Sequence, residues 1–287
     1  MRILVTGASS FIGAHLCRAA RAAHEVVGIY SQTPLRMAGV DARRVDLGRP
    51  DAAQRLRALA PELVVHLAYK VKGGPEREAL NRGMMDAVLA LDLPVIYASS
   101  TVVHWPQPSL YREGRREDEA RLLAHPRPWA VLRPCAPFGP ALPDHRPHHR
   151  ESFHTLAALV RRSPVVPVIG DGAYLRQPLY VGDLSEAILG LIQRGLPRRA
   201  FDAGGAEALS MSEIVDTLAA AMGRRVRQIP LPKALFTRLA PLSRDFDPQL
   251  IDTLDVDDLA DPQALAEASG WRPRGFRGAV AYLVAPS

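Results

Sequence analysis

A short apolar run, Met1 to Val5, leads into Thr6-Gly7-Ala8-Ser9-Ser10-Phe11-Ile12-Gly13. Behind it, apolar and small residues recur at helical spacing from Phe11 to Ala22. Strand, tight turn and helix in that order make a platform for the pyrophosphate of a dinucleotide. Gly7 permits the turn, Gly13 lets helix and strand pack closely, and the first N–H groups of the helix turn donors and a positive dipole end toward phosphate. The spacing Gly7, Ser10, Gly13 departs from G-x-G-x-x-G, and Ser10 can bring a backbone N–H or its hydroxyl to the same phosphate. A second set of residues with chemical potential is Tyr111 and Arg115. They stand at i and i+4, so a helix puts phenol and guanidinium on one face.

The elements that must position these groups follow from the hydrophobic pattern. Strands are expected at Arg2–Thr6, Glu25–Tyr30, Arg44–Val45, Leu63–Ala68, Val95–Ser99 and Ala130–Arg133. Helices are expected at Phe11–Ala22, Asp51–Ala60, Pro75–Leu91 and Tyr111–Ala124. The alternation predicts an α/β, Rossmann-type doubly wound parallel sheet. After Pro140 the pattern loses regularity and prolines punctuate it. The expected division is therefore a dinucleotide-binding domain over 1–140 and a smaller, mainly substrate-binding C-terminal lobe over 141–287, with the chain returning to the sheet around 176–202.

Composition narrows the function classes. The 287 residues are 47% hydrophobic, enough for a substantial core. No apolar run approaches the ~20 residues that span a bilayer, and the first residues enter a strand without a leader pattern. The two cysteines, Cys17 and Cys135, give no disulfide framework, and no metal site is read from the chain. A cytoplasmic setting follows as the expectation. The net charge of +6 is spread through the chain, with local clusters at Arg112–Arg116 and His145–Arg150 that lack interleaved aromatics. That argues against nucleic acid and for an anionic or sugar-like small molecule as partner. A homodimer is left open.

Several ordered motifs resemble those of the extended short-chain dehydrogenases/reductases, the NAD-dependent epimerase/dehydratase family. Thr6 to Gly13 resembles T-G-x-x-G-F-I-G, with Ser10 at the middle glycine. Val64-Val65-His66-Leu67-Ala68 is similar to V-V-H-L-A-A, and Asp46-Leu47 to the D-L pair after the third strand. Asn81-Arg82-Gly83 is similar to N-V-x-G-T with the glycine one place early, and Leu132-Arg133-Pro134 through Gly139-Pro140 resembles L-R-P-x-N-V-Y-G-P. Gly170-Asp171-Gly172 through Arg176, then Tyr180 to Leu184, resembles G-D-G-x-x-x-R-D-F-V-x-V-D-D-L. Gly270-Trp271-Arg272-Pro273 is similar to the C-terminal G-W-x-P.

The resemblance implies a cofactor site formed by Gly7, Ser9, Ser10, Phe11, Ile12, Gly13, Ser31, Arg36, Asp46, Leu47, Leu67, Ala68, Tyr69, Asn81 and Pro134. It implies catalysis by Ser100, which holds a substrate oxygen, and Tyr111, which exchanges a proton with it. Tyrosine, with a pKa of about 10, needs a neighbouring cation for that task. Arg115 stands where the family has lysine and would supply it. Thr101 and Arg176 are the implied substrate contacts.

Two departures stand out. Arg115 carries a larger, planar cation, and the Ser100–Tyr111 spacing is short, so the substrate pocket is expected to be more open or filled by something else. Ala136 in place of the family's asparagine weakens a nucleotide-sugar substrate, and Arg176 keeps it in play. At the end of the second strand, Ser31 replaces the acid that would bind the adenosine ribose, with Arg36 close behind, which predicts NADP(H) over NAD(H). The expected function is an NAD(P)-dependent carbonyl reduction or alcohol oxidation on a sugar-like or nucleotide-sugar substrate. Epimerisation or dehydration is the neighbouring alternative. A non-catalytic NAD(P)-binding sensor or assembly protein is the rival from another class.

Overall fold

Ile3, Leu4 and Val5 are almost wholly buried, as a strand in the middle of a two-sided sheet requires. They belong to β1 (Arg2–Thr6), and the computed structural model describes residues 1–71, 73, 75–147, 151–239 and 255–285 of the chain. The N-terminal part runs β1, α1 (Phe11–Ala20), β2 (Glu25–Tyr30), β3 (Val40–Arg44), α2 (Ala52–Arg57), β4 (Leu63–His66), α3 (Pro75–Leu89), β5 (Val95–Ala98), a 3-10 turn over Thr101–His104, α4 (Leu110–Leu123), β6 (Trp129–Pro134) and β7 (Pro137–Phe138). Then come α5 (Ser152–Arg162), β8 (Val165–Ile169), β9 (Leu175–Arg176), β10 (Leu179–Tyr180), α6 (Val181–Arg194), β11 (Arg199–Ala203), β12 (Leu209–Ser210) and α7 (Met211–Ala221). The chain ends with β13 (Arg227–Leu231), α8 (Lys233–Leu239), α9 (Gln263–Ser269) and α10 (Phe276–Val284).

Seven strands form one sheet in the order β11-β6-β5-β4-β1-β2-β3, and all of its pairs are parallel. The fold is the expected doubly wound one. Chain order reverses between β1 and β4, so the crevice beyond their carboxyl ends is where such a sheet binds ligands. One core layer packs β1 and β6 side chains against Leu16 of α1, Leu184 and Ile188 of α6 and Leu265 of α9. The other packs Leu4, Val64 and Tyr97 against Leu56, Met85 and Leu122 of α2, α3 and α4. A third core, around Phe138, Phe153, Val166, Ile214 and Phe276, is built from α5, α7, α10 and the β8–β13 pair.

The third strand lies earlier than the Arg44–Val45 expected. β3 is the sheet edge, with Arg43 and Arg44 exposed, so it lacks the apolar run that marks the others. Although β7 to β10 lie outside the sheet, the chain returns to it: β11 pairs with β6 in register from Arg199 against Ala130 to Ala203 against Pro134. The Arg150 end of the His145–Arg150 cluster lies outside the described residues.

Candidate active site

The glycine turn closes β1 onto α1. Gly7 has φ +64°, the left-handed region that favours glycine, and a Cβ there would stand 2.9 Å from the Ala68 backbone nitrogen. A Cβ on Gly13 would collide with the Gly7 carbonyl oxygen. Within the turn the Ser10 N–H donates to the Gly7 carbonyl at 2.9 Å, and the Ser10 hydroxyl accepts from the Gly13 N–H at 3.0 Å. Ser10 is thus the N-cap of α1. This corrects part of one expectation: its N–H is spent within the turn, while its hydroxyl, which only accepts from Gly13, keeps its own hydrogen for a phosphate. The donors that the helix geometry leaves for an anion are the first-turn N–H groups of Phe11 and Ile12.

The Phe11 side chain is buried and meets His15 and His154 edge-on at 4.9 and 5.0 Å. His145 bonds the Ser9 carbonyl at 2.9 Å, His15 that of Pro140 at 3.1 Å and His154 that of Gly139 at 2.9 Å. His145 and His15 therefore tie 139–147 to the turn and α1, and His154 packs on Phe11 while bonding Gly139.

Across the crevice, the Thr6 hydroxyl accepts from the N–H groups of Leu67 and Ala68 at 3.1 and 3.2 Å and bonds His66 Nδ1 at 2.7 Å. It joins the ends of β1 and β4 where a dinucleotide would cross. His66 is buried, and burial holds it at about 3, with Arg115 adding to that effect, so it is a neutral core residue. Asn81 departs from its expected cofactor role. Its amide is spent on Lys70, accepting from the Lys70 N–H at 2.8 Å and donating to the Lys70 carbonyl at 3.0 Å. It braces the loop after β4. Beyond β3, Asp46 caps the Gly48 N–H at 3.0 Å beside a buried Leu47. Pro134 closes β6 against Ala203.

The catalytic candidates gather at the ends of β4 and β5 and on α4. Arg115 is 6% exposed. It donates to the Tyr97 hydroxyl at 2.9 Å, to the Ala98 carbonyl at 2.7 Å and to the Tyr111 hydroxyl at 3.5 Å. The Tyr69 ring lies 3.7 Å from its guanidinium carbon and touches the Tyr111 ring, with centroids 5.5 Å apart. Burial, opposed by Arg115, raises the phenols of both Tyr69 and Tyr97. Phenol and guanidinium are therefore together, as their i, i+4 spacing predicts. Ser100 sits on the same rim of the sheet, with extended backbone, and its hydroxyl accepts from the Val102 N–H at 3.3 Å as cap of the 3-10 turn. Thr101 is 3% exposed, which withdraws its side chain from the open crevice and removes it as a substrate contact.

The short segment between Ser100 and Tyr111 is tied down at both ends by side chains. Trp105 Nε1 donates to Asp258 Oδ1 at 3.1 Å, and Arg112 donates to the Trp105 and Pro106 carbonyls, both at 2.8 Å. Asp258 also accepts from the Cys135 thiol, at 3.4 Å. Trp105 thus joins this segment to the 255–260 strap. Arg176 lies over the Tyr174 ring at 4.7 Å and donates to the Leu175 and Val256 carbonyls, so part of its fork holds the 255–260 strap. Tyr97, Asp118, Trp105 and Asp258 were not among the expected site residues. The one local signal was Tyr97, a polar ring in the otherwise aliphatic run Val95-Ile96-Tyr97-Ala98.

Residues 3–104 match the model of the NAD dependent epimerase/dehydratase family. No curated protein matches the chain. Among solved structures, UDP-glucose 4-epimerase of Thermus thermophilus, in complex with NAD, superposes with a TM-score of 0.77 at 23% identity, covering 99% of this chain and 98% of that one. UDP-glucuronic acid 4-epimerase of Bacillus cereus, with UDP-glucuronic acid and NAD, gives 0.75 at 20% identity over 99% and 98%. UDP-glucose 4-epimerase of Thermotoga maritima, with UDP-glucose, gives 0.76 at 18% identity over 99% and 97%. The resemblance read from the sequence is borne out by the match over residues 3–104, which carry five of the seven sheet strands, and by the fold of the described chain.

The preference for NADP(H) is overturned. The matched family is NAD dependent, and the Thermus and Bacillus structures hold NAD. Physically, the missing acid at Ser31 removes a repulsion without building a phosphate site. Arg36 is exposed between the buried Leu35 and Met37, and the Arg44 guanidinium is drawn to the Ser31 carbonyl at 3.1 Å. Among the described residues, no helix is long and apolar enough to cross a membrane.

Proposed function

We propose that this chain, with residues 3–104 matching the NAD dependent epimerase/dehydratase model, is an NAD-dependent oxidoreductase of the epimerase/dehydratase type acting on a sugar-like or nucleotide-sugar substrate. The observation that carries the reading is the Tyr111 hydroxyl 3.5 Å from a buried Arg115 on the sheet rim that also bears the glycine turn. A Cβ would fill the cradle at Gly7 and Gly13, which is the fit a pyrophosphate needs. Phe11 and Ile12 N–H groups would hold the phosphates, Asp46 and Leu47 the adenine end, and Leu67, Ala68 and Pro134 the walls. The nicotinamide, when bound, supplies hydride transfer. Tyr111 takes or returns the proton of the substrate hydroxyl, with Arg115 favouring the phenolate. Ser100 orients the same oxygen.

In this reading residues 1–140 with α6 and β11 bind the dinucleotide, and the remainder is the substrate lobe, in a cytoplasmic setting. Arg176, beside the strap, faces the anionic part of the substrate. A second reading, a dinucleotide-binding protein without turnover, is favoured by one observation: the guanidinium standing at the family's lysine is already committed to Tyr97 and Ala98. Mass spectrometry of nucleotide retained by the purified protein, followed by turnover assays with UDP-glucose and UDP-glucuronic acid, tests both. Retained or bound NAD with turnover supports the enzyme; bound NAD with no turnover on any carbonyl or sugar probe supports the second reading.

A further inference from the structure

Arginine has a long, flexible side chain, and a cation acts on a neighbouring phenol only while it is held in place. Arg115 is held from three sides. One of its terminal nitrogens is shared by the Tyr97 hydroxyl at 2.9 Å and the Ala98 carbonyl at 2.7 Å, and the other reaches the Tyr111 hydroxyl at 3.5 Å. The Tyr69 ring covers its face at 3.7 Å. Tyr97 is itself anchored, donating from the same hydroxyl to Asp118 Oδ2 at 2.9 Å. Asp118 is one turn along α4 from Arg115, 4% exposed, with Arg121 at 3.8 Å. Gly114 makes room for the cover: a Cβ there would stand 2.5 Å from the Tyr69 hydroxyl and from Glu78 Oε2. The charged groups around this cluster are Arg115, Asp118, Arg121 and Glu117 on α4 and Glu78 on α3.

We propose that Tyr97 and Asp118 are positioning residues: through the hydrogen-bonded chain Asp118–Tyr97–Arg115 they fix the guanidinium beside the Tyr111 hydroxyl, while Tyr69 shuts it off from substrate. The cation then serves the phenol alone. Its fork does not bind ligand, because its face and one end are already covered by protein. The inference rests on Tyr111 being the proton-transfer residue.

The test reads Tyr111 directly rather than through turnover. In each background, the tyrosinate absorbance of the folded protein is titrated with and without Tyr111→Phe, and the difference isolates the Tyr111 signal. Tyr97→Phe should move that signal to higher pH by about one unit, a tenfold change in its ionisation constant. Asp118→Ala and Asp118→Asn both remove the carboxylate charge, but only asparagine keeps an acceptor for Tyr97. The alanine variant should therefore titrate about one unit above the asparagine variant. An unmoved Tyr111 signal in folded Tyr97→Phe, or coincident signals in Asp118→Ala and Asp118→Asn, overturns the proposal. If Tyr97→Phe does not fold, the Asp118 pair decides alone. Failure of the underlying reading shows elsewhere, as undiminished turnover in Tyr111→Phe, and does not alter the titrations.

Discussion

The two ends of the crevice are built on different principles. At the glycine turn nearly everything is backbone: a left-handed Gly7, a Gly13 with no space for a Cβ, and a cap bond from Ser10. At the phenol end nearly everything is side chain: three tyrosines, one arginine and one carboxylate from β5, α4 and the loop after β4. A backbone site is specified by a few adjacent residues and tolerates changes around it. A side-chain site is specified jointly by distant residues, and a change at any of them reaches the others.

The largest expected effect separates the ends by function. Tyr111→Phe should lower turnover by roughly 10²–10⁴ while leaving NAD affinity unchanged, measured by steady-state kinetics beside calorimetry. Loss of NAD binding in that variant would merge the two ends and break the comparison. Gly7→Val should do the reverse. A side chain forced to φ +64° against Ala68 should abolish measurable NAD binding in calorimetry, with the fold retained by circular dichroism.

At the phenol end, acid dependence should come from Asp118. Burial, partly offset by Tyr97 and Arg115, holds the Asp118 carboxyl at about 6 against an ordinary 3.8. Between those values the folded chain keeps a proton on Asp118 that the unfolded chain has shed, so the contribution of this one group is full below pH 3.8 and falls as pH rises to 6. Asp118→Asn should remove that slope and raise stability at pH 7 by on the order of 1–3 kcal/mol. Parallel pH curves for variant and wild type in urea melts would contradict this. Arg115→Lys should lower turnover roughly tenfold and also lower the melting temperature, because a single nitrogen cannot stand at both ends of the fork, which reach Tyr97 and Ala98 on one side and Tyr111 on the other, or stack on Tyr69. Equal or higher turnover would mean the fork is dispensable. The smallest effect is at the other end: Ser10→Ala loses a helix cap, costing about 1 kcal/mol in thermal unfolding with NAD affinity preserved.

The same contrast explains what the sequence disclosed. The turn at Gly7, Ser10 and Gly13 was readable because its constraints are local and glycine is the residue that meets them. The strands of the sheet centre were readable because they are continuous apolar runs. The edge strand β3 was misplaced because its side chains are half exposed and carry no such run. Tyr111 and Arg115 could be paired by their helical spacing, but the partners of Arg115 could not. Tyr69, Tyr97 and Asp118 come from three elements whose proximity exists only after β4, β5 and α4 are assembled. Asn81 was misassigned for the same reason: an amide that can face a cofactor can equally clasp a loop, and the sequence contains no sign of Lys70 reaching it. The coenzyme preference failed because a missing acid says what is not repelled, and only a built cationic site says what is held.

The return of β11 to the sheet bears on how the chain is made. β6 is complete long before its outer neighbour exists, since roughly sixty residues of lobe intervene, and loop closure over that length is a late and slow event. During synthesis the strand Trp129–Pro134 stands as a bare edge, rich in Val, Leu and Ala, able to template pairing with another nascent copy. In the folded chain β11 covers that edge, with α6 packed on α1. A chain truncated at Pro140 would therefore keep the nucleotide turn intact and carry a permanently open, aggregation-prone margin.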